Sequence, residues 1–303
     1  MTSPRHQIVD PDSAGFYHCV SRCVRRAFLC GTDSYTGRCF EHRKPWVEDR
    51  VLELAGILAV GVYAYAVMSN HLHVVAYVNP GAAWAWSPDE VAERWMRLFP
   101  VREGGEIDAD ATRVRAQVLA GNAERVAVCR ARLASLSWFM RCLSEPIARR
   151  ANREDACTGR FWEGRFRCQA LLDDAALVAC MAYVDLNPIR AGMVTTLEAS
   201  EHTSAKQRIG RIDEAIDEAE LTSVAGLAAD ALPLSLRDYL SLVDLTGRIA
   251  RAGKRGAIDA DARPILQRVG IDDSQWRDQV FGIETRYWRA VGAVDALLAK
   301  AKA

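Results

Sequence analysis

The chain carries no surplus of charge: 39 lysines and arginines stand against 39 aspartates and glutamates in 303 residues. That balance gives no global attraction to nucleic acid, which counts against a DNA-binding reading, so any basic surface must be local. Its nine cysteines form no Cys-x-x-Cys pair, and their number is odd. Cys19, Cys23, Cys30 and Cys39 lack zinc-ribbon spacing. The expectation is reduced thiols in a cytoplasmic protein, with a structural zinc cluster as the alternative. Met1-Thr2-Ser3-Pro4-Arg5-His6 offers no apolar core region of a secretory leader. No run is fit to span a bilayer either. The uncharged stretch from Leu54 to Leu72 is interrupted by Ser69, Asn70 and His71 and reads as a helix end plus a strand. What remains is an ordinary globular balance, 50% apolar and 26% charged. The length suffices for a well-buried core and, on size, for two domains.

Histidine is scarce, with six in all, yet two of them stand in His71-Leu72-His73 at the end of the apolar run 60–70. Successive side chains of a strand point to opposite faces, so His71 and His73 project to one side and Leu72 to the other. Two imidazoles on one face form half of a metal site. The plainer alternative is two histidines that fall together on a partly buried strand. About a hundred residues downstream, Asp173-Asp174 precedes an apolar, alanine-rich run that ends at Asn187-Pro188. An N-cap signal and a proline stop predict a helix over about 174–186. Tyr183 and Asn187 lie four apart and share a face near its end. A tyrosine hydroxyl can be a nucleophile and an amide oxygen a hard metal ligand. A core tyrosine and a capping asparagine would look the same.

His71-Leu72-His73 matches the His-hydrophobe-His motif of the single-tyrosine HUH nucleases. The phrases Phe16-Tyr17-His18-Cys19-Val20-Ser21-Arg22, Met68-Ser69-Asn70-His71-Leu72-His73, Trp162-Glu163-Gly164-Arg165-Phe166 and Tyr183-Val184-Asp185-Leu186-Asn187-Pro188-Ile189-Arg190-Ala191-Gly192 resemble the signature blocks of IS200-like transposases, in particular the REP-associated tyrosine transposases. The blocks stand in the family's order and cover roughly residues 13–80 and 128–194, a little under half of the chain. An insert and a C-terminal extension have no counterpart in the minimal family member.

Periodicity organises the rest. A strand is predicted over 15–20, and a helix over 45–58 with Val47, Val51, Leu54, Ala55 and Leu58 on one face. Strands over 60–68 and 71–78 join at the Ser69-Asn70 turn. An insert at about 81–125 opens with Ser87-Pro88-Asp89-Glu90, a capping-box sequence that predicts a helix to about Phe99. A short helix over 110–120 and a longer one over 123–143 follow, the latter ended or kinked by Pro146. Residues 155–166 read as a loop and 166–172 as a strand. The order strand, helix, strand, strand, helices, strand, helix is that of an α+β, ferredoxin-like antiparallel sheet with helices on one face. The resemblance implies the same fold. The histidine strand belongs near the middle of the sheet, with the tyrosine helix beside it. Residues 1–195 form the expected catalytic domain. Residues 196–303 read as a helical extension with patches at 207–219, 236–250, 262–269 and 273–300, which could grip DNA, join two copies, cover the site or only stabilise.

The expected chemistry is metal-assisted. A divalent ion held by His71, His73 and Asn187 would polarise a phosphodiester and hold it in line for Tyr183. Imidazoles alone suit zinc or nickel, whereas an amide oxygen and open water positions favour Mg2+ or Mn2+. The resemblance, not spacing, supplies a 5′-phosphotyrosine product and a single-stranded or hairpin DNA partner. Arg22, Arg165 and Arg190 are candidate phosphate contacts, and Trp162 and Phe161 candidate stacking platforms. Glu163 could orient a histidine, and His18 reads as a satisfied core histidine. Between residues 124 and 167 ten arginines against five carboxylates suggest a phosphate track near the site. The expected assembly is a monomer or homodimer, away from membranes. Two other readings stand beside strand transfer: a domesticated hairpin-DNA-binding protein, and a hydrolase that uses water with Tyr183 as scaffolding.

Overall fold

The computed structural model describes residues 7–24, 28–33, 35–194, 196–212, 220–230, 232–249, 290–291 and 297–299. In chain order its elements are β1 (Gly15–Arg22), α1 (Lys44–Ala55), β2 (Val60–Val67), β3 (His71–Val78), α2 (Pro80–Trp84) and α3 (Pro88–Leu98). A two-strand ribbon, β4 (Arg102–Glu103) and β5 (Glu106–Ile107), leads to α4 (Ala109–Ala120), α5 (Ala123–Leu133) and α6 (Leu136–Glu154). Then come β6 (Arg167–Leu171), α7 (Asp174–Asp185), α8 (Asn187–Arg190) and α9 (Ser204–Ile212). Last are β7 (Glu220–Leu221), β8 (Ala225–Gly226), β9 (Leu232–Ser235), α10 (Leu236–Ile249) and β10 (Ala290–Val291). The protein is thus a mixed α+β chain built on an antiparallel sheet. Its main sheet runs β10-β6-β1-β3-β2-β8, antiparallel except for the short parallel pair of β10 with β6. The histidine strand β3 lies between β1 and β2 and pairs with both along its length.

Alternation on β3 divides the molecule into two cores. Leu72, Val74, Ala76 and Val78 face one way and join Val47, Val51 and Leu54 of α1 and Phe139, Met140 and Leu143 of α6. Val75 and Tyr77 face the other way, into a cluster with Leu177, Met181 and Tyr183 of α7 and Tyr239 and Val243 of α10. The expectation of helices on one face is therefore corrected: it holds for α1 and α6, whereas α7, α9 and α10 cover the second face. The reason is compositional. Every residue of β2 is buried, and a strand apolar on both faces must be covered on both. All of α7 from Ala176 to Asp185 is buried as well, as an all-round apolar helix requires.

The long helix expected over 123–143 is two helices. Ser135 breaks it and caps α6, its hydroxyl accepting from Trp138 N at 3.4 Å. Pro146, expected to end or kink the helix, does not end it: it lies inside α6, which continues to Glu154. A proline deprives the carbonyl four residues earlier of its donor; here that carbonyl, on Cys142, accepts from Arg50 Nε of α1 at 3.2 Å. Helices α5 and α6 pack on the first core, so much of the arginine-rich stretch lies on the side of the sheet away from His71 and His73.

Described parts of the extension also complete the sheet rather than forming helix alone. β8 adds to the edge of β2, and α10 packs on α7 and α9. That edge needs glycine: Gly226 has φ +77°, and a Cβ on it would meet Val60 O at 2.2 Å. The predicted patch 262–269, most of 273–300 and the basic loop Gly253-Lys254-Arg255-Gly256 lie outside the described residues. Among the described residues, no helix is long and apolar enough to cross a membrane. Nor do three or more His, Cys, Asp or Glu side chains gather there as a metal cluster.

Candidate functional site

The site grows from three strands and one helix. On β3, His71 and His73 point to the second face, toward α7. On β1, Val20 is the register partner of His73, which puts His18, two residues away on the same face, diagonally across from it. Gln169 of β6 is the register partner of His18. Helix α7 is started by Asp173, whose carboxylate accepts from Ala176 N at 2.7 Å, and carries Tyr183 in its last turn.

These elements bring His71, His73 and Tyr183 together from remote parts of the chain. The Tyr183 ring stands edge-on to His73 at 5.6 Å between centroids and to His18 at 5.9 Å. His71 and His73 are 4.8 Å apart. The Arg190 guanidinium lies over the Tyr183 ring at 5.4 Å from its centroid, a cation–π arrangement. Tyr183 and His73 are each only 4% exposed, so the site is closed over both groups.

The imidazoles are held through their Nδ1 atoms. His71 Nδ1 is 2.7 Å from Asn70 Oδ1, an acceptor, so it donates. His73 Nδ1 is 2.9 Å from His18 Nε2, and His18 Nδ1 is 3.0 Å from Gln169 Oε1. Burial and the Arg22 charge lower the His71 pKa to about 4. Burial, opposed by the Gln169 bond, lowers that of His18 to about 4. Burial, then the neighbouring His18 and His71, holds His73 well below its usual value. All three rings are therefore neutral near pH 7. His73 Nε2 is buried and has no hydrogen-bond partner among the described residues. An unmet polar atom in such a place costs about 1–3 kcal/mol. Two neutral imidazoles whose Nε2 atoms take no hydrogen bond among the described residues, that of His73 being buried as well, fit a divalent metal ion.

Asn187, the first residue of α8, folds back on the end of α7: its Nδ2 donates to Tyr183 O at 3.0 Å, which leaves the amide oxygen as an acceptor. Arg22 and Glu163 form an exposed ion pair at 3.7 Å, so it is Asn70 and His18, not Glu163, that hold the two imidazoles. Arg165 is exposed on the loop before β6. Trp162 is half-buried against the first core and donates its indole N–H to Ser144 O at 2.8 Å, beside the buried Phe161. His18 is bonded at both ring nitrogens, which uses it as a core histidine rather than a ligand.

Sequence reasoning missed Gln169, Asn70 and Asp185. Only Asn70, adjacent to His71, left a local signal. Asp185, two residues beyond Tyr183, is fully buried and accepts from Ser204 Oγ (2.5 Å), Ala205 N (3.1 Å) and Tyr239 OH (2.6 Å). Arg208 Nη1 lies 3.8 Å from it. Burial still raises the Asp185 pKa, against these partners. Through Asp185 the extension grips the tyrosine helix.

No protein-family model matches the chain, and no curated protein matches it. Among solved structures it is similar to a REP-associated tyrosine transposase bound to a REP hairpin, at 10% identity and a TM-score of 0.35, over 70% of this chain and 87% of that one.

Proposed function

We propose that this protein is a tyrosine-dependent DNA strand transferase acting on single-stranded or hairpin DNA from a ferredoxin-like sheet. One observation carries the reading: Tyr183 stands 5.6 Å from His73, whose buried Nε2 has no partner among the described residues. The four blocks that resemble the REP-associated tyrosine transposases support it.

His71 and His73 would hold the divalent ion, Mg2+ or Mn2+, with Asn187 Oδ1 as a third donor. When bound, the ion supplies positive charge beside a phosphodiester. The remaining chemistry belongs to the chain. The Tyr183 oxygen forms a bond to phosphorus, the bond from phosphorus to the 3′ oxygen breaks, and that oxygen leaves with a proton as a free 3′-hydroxyl. The phenolic proton passes to solvent, which returns one to the leaving 3′ oxygen. The linkage is conserved as a 5′-phosphotyrosine, which another 3′-hydroxyl can reverse without a nucleotide cofactor. Arg190, over the Tyr183 ring, places a cation at the nucleophile. Arg22 and Arg165 supply exposed positive charge on the approach.

The test incubates labelled single-stranded hairpin oligonucleotides with the protein and Mn2+ and runs a denaturing gel. A covalent adduct that disappears in Tyr183→Phe is expected; cleavage that survives Tyr183→Phe would show water as the nucleophile and overturn the reading. The burial of Tyr183, 4% exposed, favours a second reading in which the protein binds hairpin DNA without cutting it. That reading expects a shift on a native gel and no adduct with any metal.

A further inference from the structure

We propose that Gln169 and His18 are positioning residues that fix the tautomer of His73, so that its Nε2 lone pair faces the divalent ion; this rests on the metal reading of the site above. The chain of bonds allows few proton arrangements. Gln169 presents Oε1 to His18 Nδ1 at 3.0 Å, and a carbonyl oxygen only accepts, so His18 carries its ring proton on Nδ1. A neutral imidazole has one ring proton, so His18 Nε2 is an acceptor. His73 Nδ1, 2.9 Å from it, must then be the donor. What is left on His73 is Nε2 with a bare lone pair, the buried atom without a partner among the described residues.

The alternative turns the Gln169 amide over. Its nitrogen would then donate to His18 Nδ1, His18 Nε2 would donate to His73 Nδ1, and His73 Nε2 would carry a buried N–H with nothing to accept it. A lone pair in that position can be met by a cation, whereas an N–H would be left unmet and would also repel the cation. Gln169, His18 and His73 are 8%, 3% and 4% exposed, so bulk water does not exchange into the chain to offer a second arrangement. The relay also crosses three adjacent strands, β6, β1 and β3, which ties the metal ligand to the rigid centre of the sheet. His71 does not share it: Asn70 performs the same service for His71 from the turn.

The experiment measures metal binding rather than turnover. Mn2+ uptake is followed by the EPR signal of the free ion in wild type, Gln169→Leu and Gln169→Glu. Protonation of His73 is read in the metal-free proteins by long-range 1H–15N NMR. Gln169→Leu removes the acceptor that sets the chain and should weaken Mn2+ binding by roughly 10–100-fold, the usual effect of losing a group that orients a ligating histidine. It should also let His73 carry its proton on either nitrogen. Gln169→Glu is acceptor-only and should restore wild-type uptake and the Nδ1-protonated form. A merely structural role for Gln169 would not give that rescue or that tautomer shift. Unchanged uptake in Gln169→Leu, or a wild-type His73 protonated on Nε2, overturns the relay while leaving the metal reading intact. A wild type that takes up no Mn2+ overturns the metal reading and the relay with it.

Discussion

Acid should weaken this fold before its carboxylates alone would require, and His18 is where the effect can be isolated. The side chain is 3% exposed, and its burial lowers the pKa from 6.5 to about 4. The unfolded chain therefore takes up this proton at a pH where the folded chain does not. Stability from this source is complete above the unfolded value of 6.5, falls as the pH drops through the interval, and levels off near 4 once both states are protonated. With these two values, linkage gives a loss of about 2 kcal/mol at pH 5 from this one imidazole. Urea unfolding of wild type and His18→Asn, followed from above pH 7 down to about pH 5, measures it. The two stability curves should run parallel at the upper end and separate by about 2 kcal/mol at the lower, wild type losing more. Parallel curves throughout, or a His18 resonance in the folded protein that titrates near 6.5, would refute the reasoning.

The remaining expectations concern the extension and the helices. Tyr239→Phe removes a donor from the buried Asp185 carboxylate and should cost about 1–3 kcal/mol in thermal or urea unfolding. Asp185→Ala leaves Arg208, only 2% exposed, without its nearby carboxylate and should cost about 3–5 kcal/mol; melting curves within experimental error of wild type would remove the clamp from the account. Gly226→Ala forces a Cβ against Val60 O at a positive φ and should release β8 from β2, seen as faster hydrogen exchange at the Gly61 edge and a loss of more than about 1 kcal/mol. Arg50→Ala strips the Cys142 carbonyl of its donor and should cost about 1 kcal/mol; no change would mean that Pro146 is accommodated some other way.

Much of the frame was legible because it obeys short-range rules. Alternation over 71–78 set the faces of β3, and the Asp173 cap marked where α7 begins, as observed. The Ser87 cap likewise stands at the start of α3. The errors arose where a distant group answers a local one. Pro146 reads as a possible end of the helix only as long as Arg50, 92 residues from Cys142, is left out of account. One long helix over 123–143 was expected because its apolar period runs on through Ala134, and the capping power of Ser135 lay hidden inside that period.

Sequence alone settled which chemical groups this chain possesses and which way its strands and helices turn them, because side-chain direction follows from a period of two or 3.6 residues. It could not say that both faces of the sheet are covered, that Gln169 and His18 stand behind His73, or that Asp185 anchors the tyrosine helix to the extension. Those are matters of register between strands and of burial. Both arise only when segments remote along the chain exclude water together, and a hydrogen bond acquires a single possible partner once no water is left to compete for it.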